Sequence, residues 1–346
     1  MSTTVADVSA VPRAPVRDTT PVRTPAETRR LAGAFRLQRL LASVMALTFC
    51  AASSLACADS ALKVGDQQLQ TRGVLEASGQ LKNVPYPIEW FNFPAAQPLG
   101  EALNAGAIDI GGLGDAPLIF AYAAGANVRA VAATRSQPVD LAIIVPENSP
   151  IRNAHDLKGK RIATTRGSIG HYLLIATLER ANLKLSDVTL SFMQPADAKA
   201  ALVSGSVDAW STWDPYVALG EIRDHDRSIA NGVDLSSGLS FQAATQESIK
   251  AKHAQIADFL KRVAAGQRWA LSHPDEVAAM QSRVTGLPPD VLKTVYQRAQ
   301  LHPVAIDDKL IAEQQKTADL YHRADVIRTP LDVTPSFDTE FPLSAP

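Results

Sequence analysis

Cysteine is nearly absent from this chain of 346 residues, which has only two, Cys50 and Cys57. Both lie in the first 58 residues, so the rest of the chain has no thiol. This absence excludes a disulfide-stapled scaffold, a thiolate zinc site and a cysteine nucleophile from residue 59 onward. It also suits an oxidising compartment, where an unpaired thiol is a liability.

An excess of charge of one sign is also missing. The 34 basic and 35 acidic side chains give a formal net charge of −1, and no basic excess predicts a nucleic-acid-binding groove. The seven histidines lie far apart, without a pair at the i, i+4 spacing of helical zinc sites. Phosphate-binding loops and nucleophile elbows are absent, and residues 111–114 have the wrong spacing for a dinucleotide fingerprint. We therefore expect no catalytic residue, metal, cofactor or nucleic-acid partner.

Long apolar runs are missing too, apart from one at residues 40–55 that is too short to cross a membrane comfortably. Arginines at positions 29, 30, 36 and 39 precede it, and the small residues of Ala56-Cys57-Ala58 close it. This order is typical of a secretory signal peptide. We predict that residues 1–58, which include a long lead, are removed after Ala58. A buried N-terminal helix is the alternative, and the paired arginines leave twin-arginine export open.

What the sequence does contain, from residue 62 to residue 244, is short apolar strands alternating with helices of about ten residues. This alternation predicts an α/β fold with mostly parallel sheets and helices on both faces. After Ala244 the chain is almost entirely helical, with long amphipathic stretches at 249–272 and 308–323. Residues 330–346 are predicted to form an irregular tail.

A weak internal repeat has an offset of 99 residues. The aligned pairs are LNAGAIDI at 103–110 with LVSGSVDA at 202–209, Gly106 with Gly205, and Asp115 with Asp214. Each copy is predicted to end a helix at the glycine, continue as a strand, and cap the next helix with the aspartate. The repeat predicts two similar α/β lobes, although a common turn preference could also produce it.

Ligands of open α/β sheets bind beyond the carboxyl ends of the strands, where helix N-termini present free backbone N–H groups. Loops of this kind lie at residues 66–71, 93–97, 113–117 and 165–172, with 213–215 beside the last. They are rich in small and amide residues and hold one cation, Arg166. Such a site favours a sulfonate or a sulfate over a phosphate, which usually recruits Arg or Lys. Trp213 and Tyr172 could pack on an organic tail.

The side chains of these loops also have a purely structural interpretation. Trp213 follows a predicted strand and could belong to the core. Asp115 and Asp214 could act only as helix caps, and their charge opposes an anion unless the ligand also carries an amine. His171 is more typical of a residue behind the site than of a catalytic base.

Several motifs resemble the aliphatic sulfonate-binding proteins of ABC importers, which are periplasmic substrate-binding proteins with two lobes. The resemblance covers about residues 62–335. Its clearest stretches are DLKGK at 156–160, GS at 167–168 with HYLL at 171–174, PADA at 195–198, GSVDAW at 205–210, WDP at 213–215 and AEQQK at 312–316. As a set they are specific to the sulfonate-, taurine- and nitrate-type binding proteins.

The resemblance implies a type II periplasmic binding fold with hinge crossings near Leu141 and Ala244. Lobe I would comprise residues 59–141 and 245–346, and lobe II residues 142–244. A periplasmic monomer would close on a small anionic ligand, an alkanesulfonate, and deliver it to an inner-membrane ABC permease. The ligand-binding candidates implied by position in the family are Gln68, Ala96, Gly114, Asp115, Ala116, Gly167, Ser168, His171, Trp213 and Asp214.

The chain departs from the family's usual pattern in three loops. Ala95-Ala96 replaces two glycines, Gln70 replaces a glycine, and Ile169 replaces an asparagine. These changes leave the ligand open among alkanesulfonates, taurine, nitrate, aromatic sulfonates and sulfate esters. A thiamine-pyrimidine synthase-like enzyme is a further alternative, but its chemistry requires a cysteine-rich stretch and a reactive lysine that the candidate loops lack.

Overall fold

The computed structural model describes residues 60–341, so the predicted signal peptide at 1–58 lies outside the described residues. The first of two sheets has six strands: Leu62–Gln67 (β1), Ile88–Phe93 (β2), Ile110–Gly114 (β3), Val128–Arg135 (β4), Leu239–Thr245 (β10) and His302–Val304 (β11). Their order across the sheet is β11-β4-β10-β3-β1-β2. β1 runs parallel to β2 and β3, whereas β10 runs antiparallel to β3 and β4. This sheet and its helices form the first lobe.

The second sheet, which forms the second lobe with its helices, has five strands: Leu141–Val145 (β5), Arg161–Thr164 (β6), Thr189–Phe192 (β7), Ala209–Trp213 (β8) and Arg227–Asn231 (β9). Their order is β7-β6-β8-β5-β9. β6 runs parallel to β7 and β8, and β5 runs antiparallel to β8 and β9. The alternating side chains of β5 enter two different cores, Ile143 on one face and Ile144 on the other.

The helices of the described chain cover both faces of each sheet. They are Gln70–Ala77 (α1), Ala96–Asn104 (α2), Asp115–Ala123 (α3), Ile169–Arg180 (α4), Pro195–Val203 (α5), Tyr216–Leu219 (α6), Gln246–Ala251 (α7), His253–Ser272 (α8), Pro274–Thr285 (α9), Pro289–Ala299 (α10) and Asp308–Arg323 (α11). In the first lobe, Phe259 of α8 packs in one core, and Leu99 of α2 packs in the other. In the second lobe, α4 and α5 contribute Leu174 and Leu202 in the same way. None of these helices is long and apolar enough to span a bilayer.

The two-lobed α/β class with mostly parallel sheets is confirmed. Four of the six strands of the first sheet (β1–β4) and four of the five strands of the second (β6–β9) run in one direction. The strands that carry the chain between the lobes, β5 and β10, run in the opposite direction. β5 follows β4 of the first lobe, and β10 follows β9 of the second. Each of these two strands starts at the edge where the parallel strands of its sheet end. It therefore runs in the opposite direction from them.

The second crossing between the lobes lies at residues 232–238, ahead of β10. The predicted boundary at Ala244 is wrong because β10 hydrogen-bonds on both sides within the first sheet, with Ala244 opposite Ile110 of β3. The first crossing lies at residues 136–140, next to the predicted Leu141. An isolated strand from the sequence does not show which sheet will accept it, since both candidate sheets offer apolar neighbours.

Most of the C-terminal prediction is confirmed. The amphipathic stretch at 308–323 is α11, whereas the stretch at 249–272 is broken at Lys252 between α7 and α8. The predicted tail is irregular, but Phe337 packs edge-on against Phe241 of β10, with ring centroids 5.6 Å apart. Phe337 and Phe341 therefore belong to the core of the first lobe, whereas Val333 packs in a cluster that also contains Tyr172 of the second lobe.

The internal repeat is also a repeat of structure. Gly106 and Gly205 both follow a helix with positive φ angles of 66° and 71°, as predicted. Asp109 and Asp208, which follow these glycines by three residues, make equivalent hydrogen bonds in the two lobes. Asp109 accepts the backbone N–H of Lys63 at 2.7 Å, and Asp208 accepts that of Arg161 at 2.8 Å. Each aspartate thus ties the loop before one strand to the neighbouring strand, which is a structural role.

Candidate functional site

A cleft of about 260 Å³ lies between the two lobes and is lined by loops at the carboxyl ends of their strands. Seven of the ten predicted binding residues line it: Gln68, Ala96, Gly114, Asp115, Ser168, Trp213 and Asp214. The other three, Ala116, Gly167 and His171, are buried outside its wall. Ala116 packs in the hydrophobic cluster that contains Tyr321, and the N–H of Gly167 is donated to Nδ1 of His171 at 3.3 Å.

Three helices begin at this cleft, two from the first lobe and one from the second. The N-termini of α2 and α3 follow Ala95 and Gly114, and no side chain caps either of them. At α4, the Ser168 hydroxyl accepts the N–H of His171 at 3.1 Å. The first backbone N–H groups of a helix have no partner within the helix and carry a partial positive charge. The cleft therefore offers main-chain donors from both lobes to an anion.

Asp115 is the first residue of α3 and not its N-cap, which is Gly114. Its carboxylate accepts the Ala116 N–H at 2.7 Å and the Ser237 hydroxyl at 2.9 Å. The predicted role as a cap is therefore corrected by one position, because Gly114 has the extended backbone that a cap requires. Asp115 instead ties α3 to the second crossing between the lobes.

The first predicted loop differs from the others because its helix N-terminus is already occupied. Asp66 accepts the backbone N–H groups of Thr71 and Arg72 at 3.0 and 2.8 Å. The chain turns here through Gln68 and Leu69, which have positive φ angles of 54° and 57°. Two of the first backbone donors of α1 are therefore taken by one carboxylate, whereas at α3 Asp115 takes only the Ala116 N–H.

Direct contacts join the two lobes across the cleft. Gln68 donates its side-chain N–H to the Tyr216 hydroxyl at 2.9 Å. A Cβ placed on Gly114 would lie only 2.8 Å from Cγ2 of Ile169, so the two loops touch. Gly114 and Ser168, two of the predicted binding residues, consequently line the same small space.

His171 and Arg166 lie beside the cleft rather than in it. The guanidinium of Arg166 stacks 3.8 Å from the centroid of the Phe192 ring. His171 is buried edge-on against the same ring, with centroids 5.1 Å apart. Burial, with a smaller contribution from the charge of Arg166, lowers the pKa of His171 to about 4. The imidazole is therefore neutral near pH 7, and its role is to support the loop at Gly167.

We expect the protein to lose stability relative to a His171→Gln variant as the pH falls from about 7.5 to about 4.5. The unfolded chain takes up a proton near the ordinary pKa of 6.5, whereas the folded chain does not until about 4. Protons therefore favour the unfolded state in this window. The difference between the two free energies of unfolding should change by about 2–3 kcal/mol across it. Urea denaturation at each pH measures this, and a constant difference would contradict the prediction.

The charged groups that line the cleft are all acidic: Asp66, Asp115, Asp140 and Asp214. Among its lining residues in the described chain there is no Lys, Arg, His or Cys. Burial raises the pKa of Asp66, Asp115 and Asp214 to about 6. Burial, followed by the nearby charge of Asp214, raises the pKa of Asp140 to about 7. Between residues 60 and 341, no group of three or more acidic, His or Cys side chains could hold a metal ion.

Asp214 links the cleft to the interface between the lobes. Its Oδ1 accepts the N–H of Ala218 at 2.9 Å, so it supports α6 although Pro215 is the N-cap residue. Its Oδ2 lies 3.3 Å from Nε of Arg298 on α10, and the same guanidinium donates to Glu221 at 2.9 Å. One arginine therefore faces two carboxylates.

Several residues that line or span the cleft were not predicted from the sequence, among them Asp140, Tyr216, Gln281 and Tyr296. Gln281 donates to the carbonyl of Gln68 at 3.1 Å and so supports the left-handed turn. Asp140 directly precedes β5, so a search limited to residues after strands could not find it. Asp140 could have been predicted from one further consideration: a strand that arrives from the other lobe starts at the cleft, so the residue before it lines the cleft.

Comparison with known proteins places the chain in a family. Residues 94–277, more than half of the chain, match the family described as NMT1/THI5 like. An aliphatic sulfonates-binding protein of Escherichia coli (strain K12) is 35% identical over 277 residues, which are 79% of this chain and 87% of that protein.

Two solved structures have the same fold. The alkanesulfonate-binding protein SsuA from Xanthomonas axonopodis pv. citri, bound to MOPS, is 31% identical with a TM-score of 0.76, covering 82% of this chain and 99% of that one. The periplasmic aliphatic sulphonate binding protein SsuA from Escherichia coli is 34% identical with a TM-score of 0.73, covering 83% of this chain and 94% of that one. The chain therefore belongs to the NMT1/THI5-like family and, within it, to the aliphatic sulfonate-binding proteins.

Proposed function

We propose that this protein is a periplasmic substrate-binding protein that captures an aliphatic sulfonate between its lobes and delivers it to an ABC importer. The observation that carries the proposal is the meeting of three helix N-termini, those of α2, α3 and α4, at one cleft. Helix N-termini bind anions through backbone N–H groups and the helix dipole. Because the three come from both lobes, an anion bound there would hold the lobes together.

A sulfonate suits this cleft better than a phosphate does. A sulfonate stays ionised at any physiological pH and needs only hydrogen-bond donors, whereas phosphate sites usually contain Arg or Lys. The lining residues of the described chain include neither. The cleft volume of about 260 Å³ corresponds to about nine water molecules, so it leaves room for an organic tail beside Trp213. Bare nitrate and sulfate would leave most of that space unfilled.

The two crossings between the lobes, at residues 136–140 and 232–238, are the proposed hinges. Short connections of this kind allow two rigid lobes to close on a ligand. In this proposal the protein acts as a monomer, because both walls of the cleft come from one chain. Export to the periplasm would use the predicted signal peptide at residues 1–58.

We further propose that the protein binds its ligand without transforming it. An enzyme that makes the thiamine pyrimidine on this type of scaffold would require a lysine and cysteines at the cleft. The cleft-lining part of the described chain contains no lysine, cysteine or histidine. His171, which was predicted to bind the ligand, is buried outside the wall, and its Nδ1 accepts the N–H of Gly167.

Titration calorimetry of the purified protein with alkanesulfonates, taurine, sulfate and nitrate tests the proposal. We expect at least one sulfonate to bind with a Kd of about 1 μM or tighter, which corresponds to about −8 kcal/mol. Sulfate and nitrate should bind at least about tenfold more weakly, since they cannot use the space for a tail. The absence of binding by every sulfonate, in protein shown to be folded by circular dichroism, would contradict the proposal.

A further inference from the structure

Two glutamines of the cleft wall have amide groups that no other part of the described chain uses. The buried and half-buried glutamines that line the cleft are Gln67, Gln68, Gln242, Gln267 and Gln281. Gln67 donates its side-chain N–H to the carbonyl of Gly112 at 2.8 Å. Gln68 and Gln281 likewise donate theirs to protein oxygens. The amides of Gln242 and Gln267 make no hydrogen bond between residues 60 and 341.

The amide of Gln242 lies with its nitrogen toward the cleft. Its Oε1 is buried and without a partner in the described chain, whereas its Nε2 is not enclosed by protein. Nε2 lies 3.6 Å from the position of a Cβ added to Gly112, which also lines the cleft. Gln267 of α8, only 9% exposed, has its Oε1 buried in the same way. The wall therefore presents an amide donor in addition to the main-chain donors of the helices.

The polar side chains next to Gln242 in the sheet are already paired with each other. The hydroxyls of Ser240 on β10 and Thr134 on β4 lie 2.7 Å apart and form one hydrogen bond. Both residues line the cleft beside Gln242. A free N–H group at such a wall is one that a ligand can use, since an amide nitrogen buried without an acceptor costs free energy.

The free amide lies a short distance along the sheet from the start of α3. In the pairing of β3 with β10, Gly114 is opposite Ser240 and Gly112 is opposite Gln242. Residues two apart in a strand lie on the same face, about 7 Å from each other. An anion at the N-terminus of α3 therefore lies within the length of a short organic tail from Gln242.

A ligand that matches this arrangement has a sulfonate at one end and a hydrogen-bond acceptor a few atoms away. We infer, resting on the proposed function, that the sulfonate captured by this protein carries an ether or hydroxyl oxygen in its tail, and that Gln242 donates its amide N–H to this oxygen, with Gln267 beside it. The sulfonate meets the helix N-termini, and the tail extends along β3 from Gly114 toward Gly112. A purely apolar tail would cover the Gln242 nitrogen without giving it an acceptor.

Two ligands that differ in one atom of the tail test the inference directly. 3-Methoxypropane-1-sulfonate and pentane-1-sulfonate have the same length, with an ether oxygen in one replaced by a methylene in the other. Titration calorimetry of the purified protein should show the ether binding about threefold to tenfold more tightly. A wall that recognises only apolar surface gives the opposite order, because the methylene is the more hydrophobic group. Equal affinities, or tighter binding of pentane-1-sulfonate, would overturn the inference and leave the proposed function standing. Failure of both ligands to bind would reject both.

A Gln242→Met variant identifies the residue responsible, because methionine is unbranched and of similar length but has no N–H group. It should abolish the preference for the ether and should not weaken pentane-1-sulfonate. Gln297→Met is the matched control, since Gln297 is an exposed residue of α10 that does not line the cleft, and it should keep the wild-type preference. An unchanged preference in Gln242→Met would overturn the assignment of this residue. Should that variant fail to fold, the ligand pair on the wild-type protein still decides the inference.

Discussion

Replacement of Gly114 by valine is expected to weaken sulfonate binding by about 100-fold or more and to leave the fold intact. A Cβ at this position would lie 2.8 Å from Cγ2 of Ile169 in the opposite lobe and 3.4 Å from Cδ of Pro117. The branched side chain would hold the lobes apart and occupy the space at the N-terminus of α3. Because Gly114 has φ −67° and ψ 172°, valine fits the backbone without strain. Titration calorimetry with the tightest-binding sulfonate measures the effect.

Gly100→Ala is the matched control for the valine variant. Gly100 lies within α2, and the atom nearest to an added Cβ is the Cβ of Ala121 at an ordinary 3.9 Å. This variant should therefore bind sulfonate like the wild type. If Gly114→Val kept its affinity within about threefold of the wild type, the starts of α3 and α4 would not form the anion site.

Replacement of Tyr321 by alanine is expected to lower the free energy of unfolding by about 3–5 kcal/mol, as for other large aromatic core residues. Tyr321 on α11 is fully buried. Its ring lies edge-on to Phe120 of α3 and to Tyr172 of α4, with centroids 6.4 and 6.1 Å apart. The ring thus fills the space between helices of the two lobes, and alanine would leave a cavity there. Urea denaturation monitored by circular dichroism measures the loss.

Tyr321→Phe separates the ring from the hydroxyl. The hydroxyl donates to the carbonyl of Ser168 at 3.2 Å, and its loss should cost about 1 kcal/mol. The phenylalanine variant should therefore retain most of the stability that the alanine variant loses. Similar losses in the two variants would show that the hydrogen bond, and not the packing of the ring between the lobes, is the main contribution.

Local patterns account for what the sequence analysis predicted correctly. The bounds of α11 follow from its amphipathic period, and Asp307 caps it through the N–H of Leu310. Gly106 and Gly205 end their helices because their positive φ angles favour glycine. The loops that line the cleft were predicted because the ends of parallel strands share one edge of a sheet. Each of these features depends on residues close together in the chain.

Where the structure differs from the sequence-based prediction, contacts between distant segments are usually the cause. β10 joins the first sheet through pairing with β3, more than 120 residues earlier in the chain. The same crossings make β5 and β10 run against most strands of their sheets. Asp115 was misplaced by one residue because Gly114 and Asp115 both suit the start of a helix. Ala116, Gly167 and His171 were expected at the cleft but lie outside its wall. Ala116 packs in the cluster of Tyr321, and His171 packs against Phe192 and Tyr321. The hydrogen bond from its N–H to His171 holds Gly167 behind the wall.

The amino-acid sequence by itself determined the α/β class, the two similar halves, and the short loops whose main-chain donors suit an anion. Those properties arise from periodicity, turn chemistry and composition, which act over a few neighbouring residues. Only the tertiary structure decided that Gln68 reaches Tyr216 across the cleft and that Asp140 lies beside Asp214. These contacts join residues 148 and 74 positions apart, so they form only when the complete core brings distant segments together.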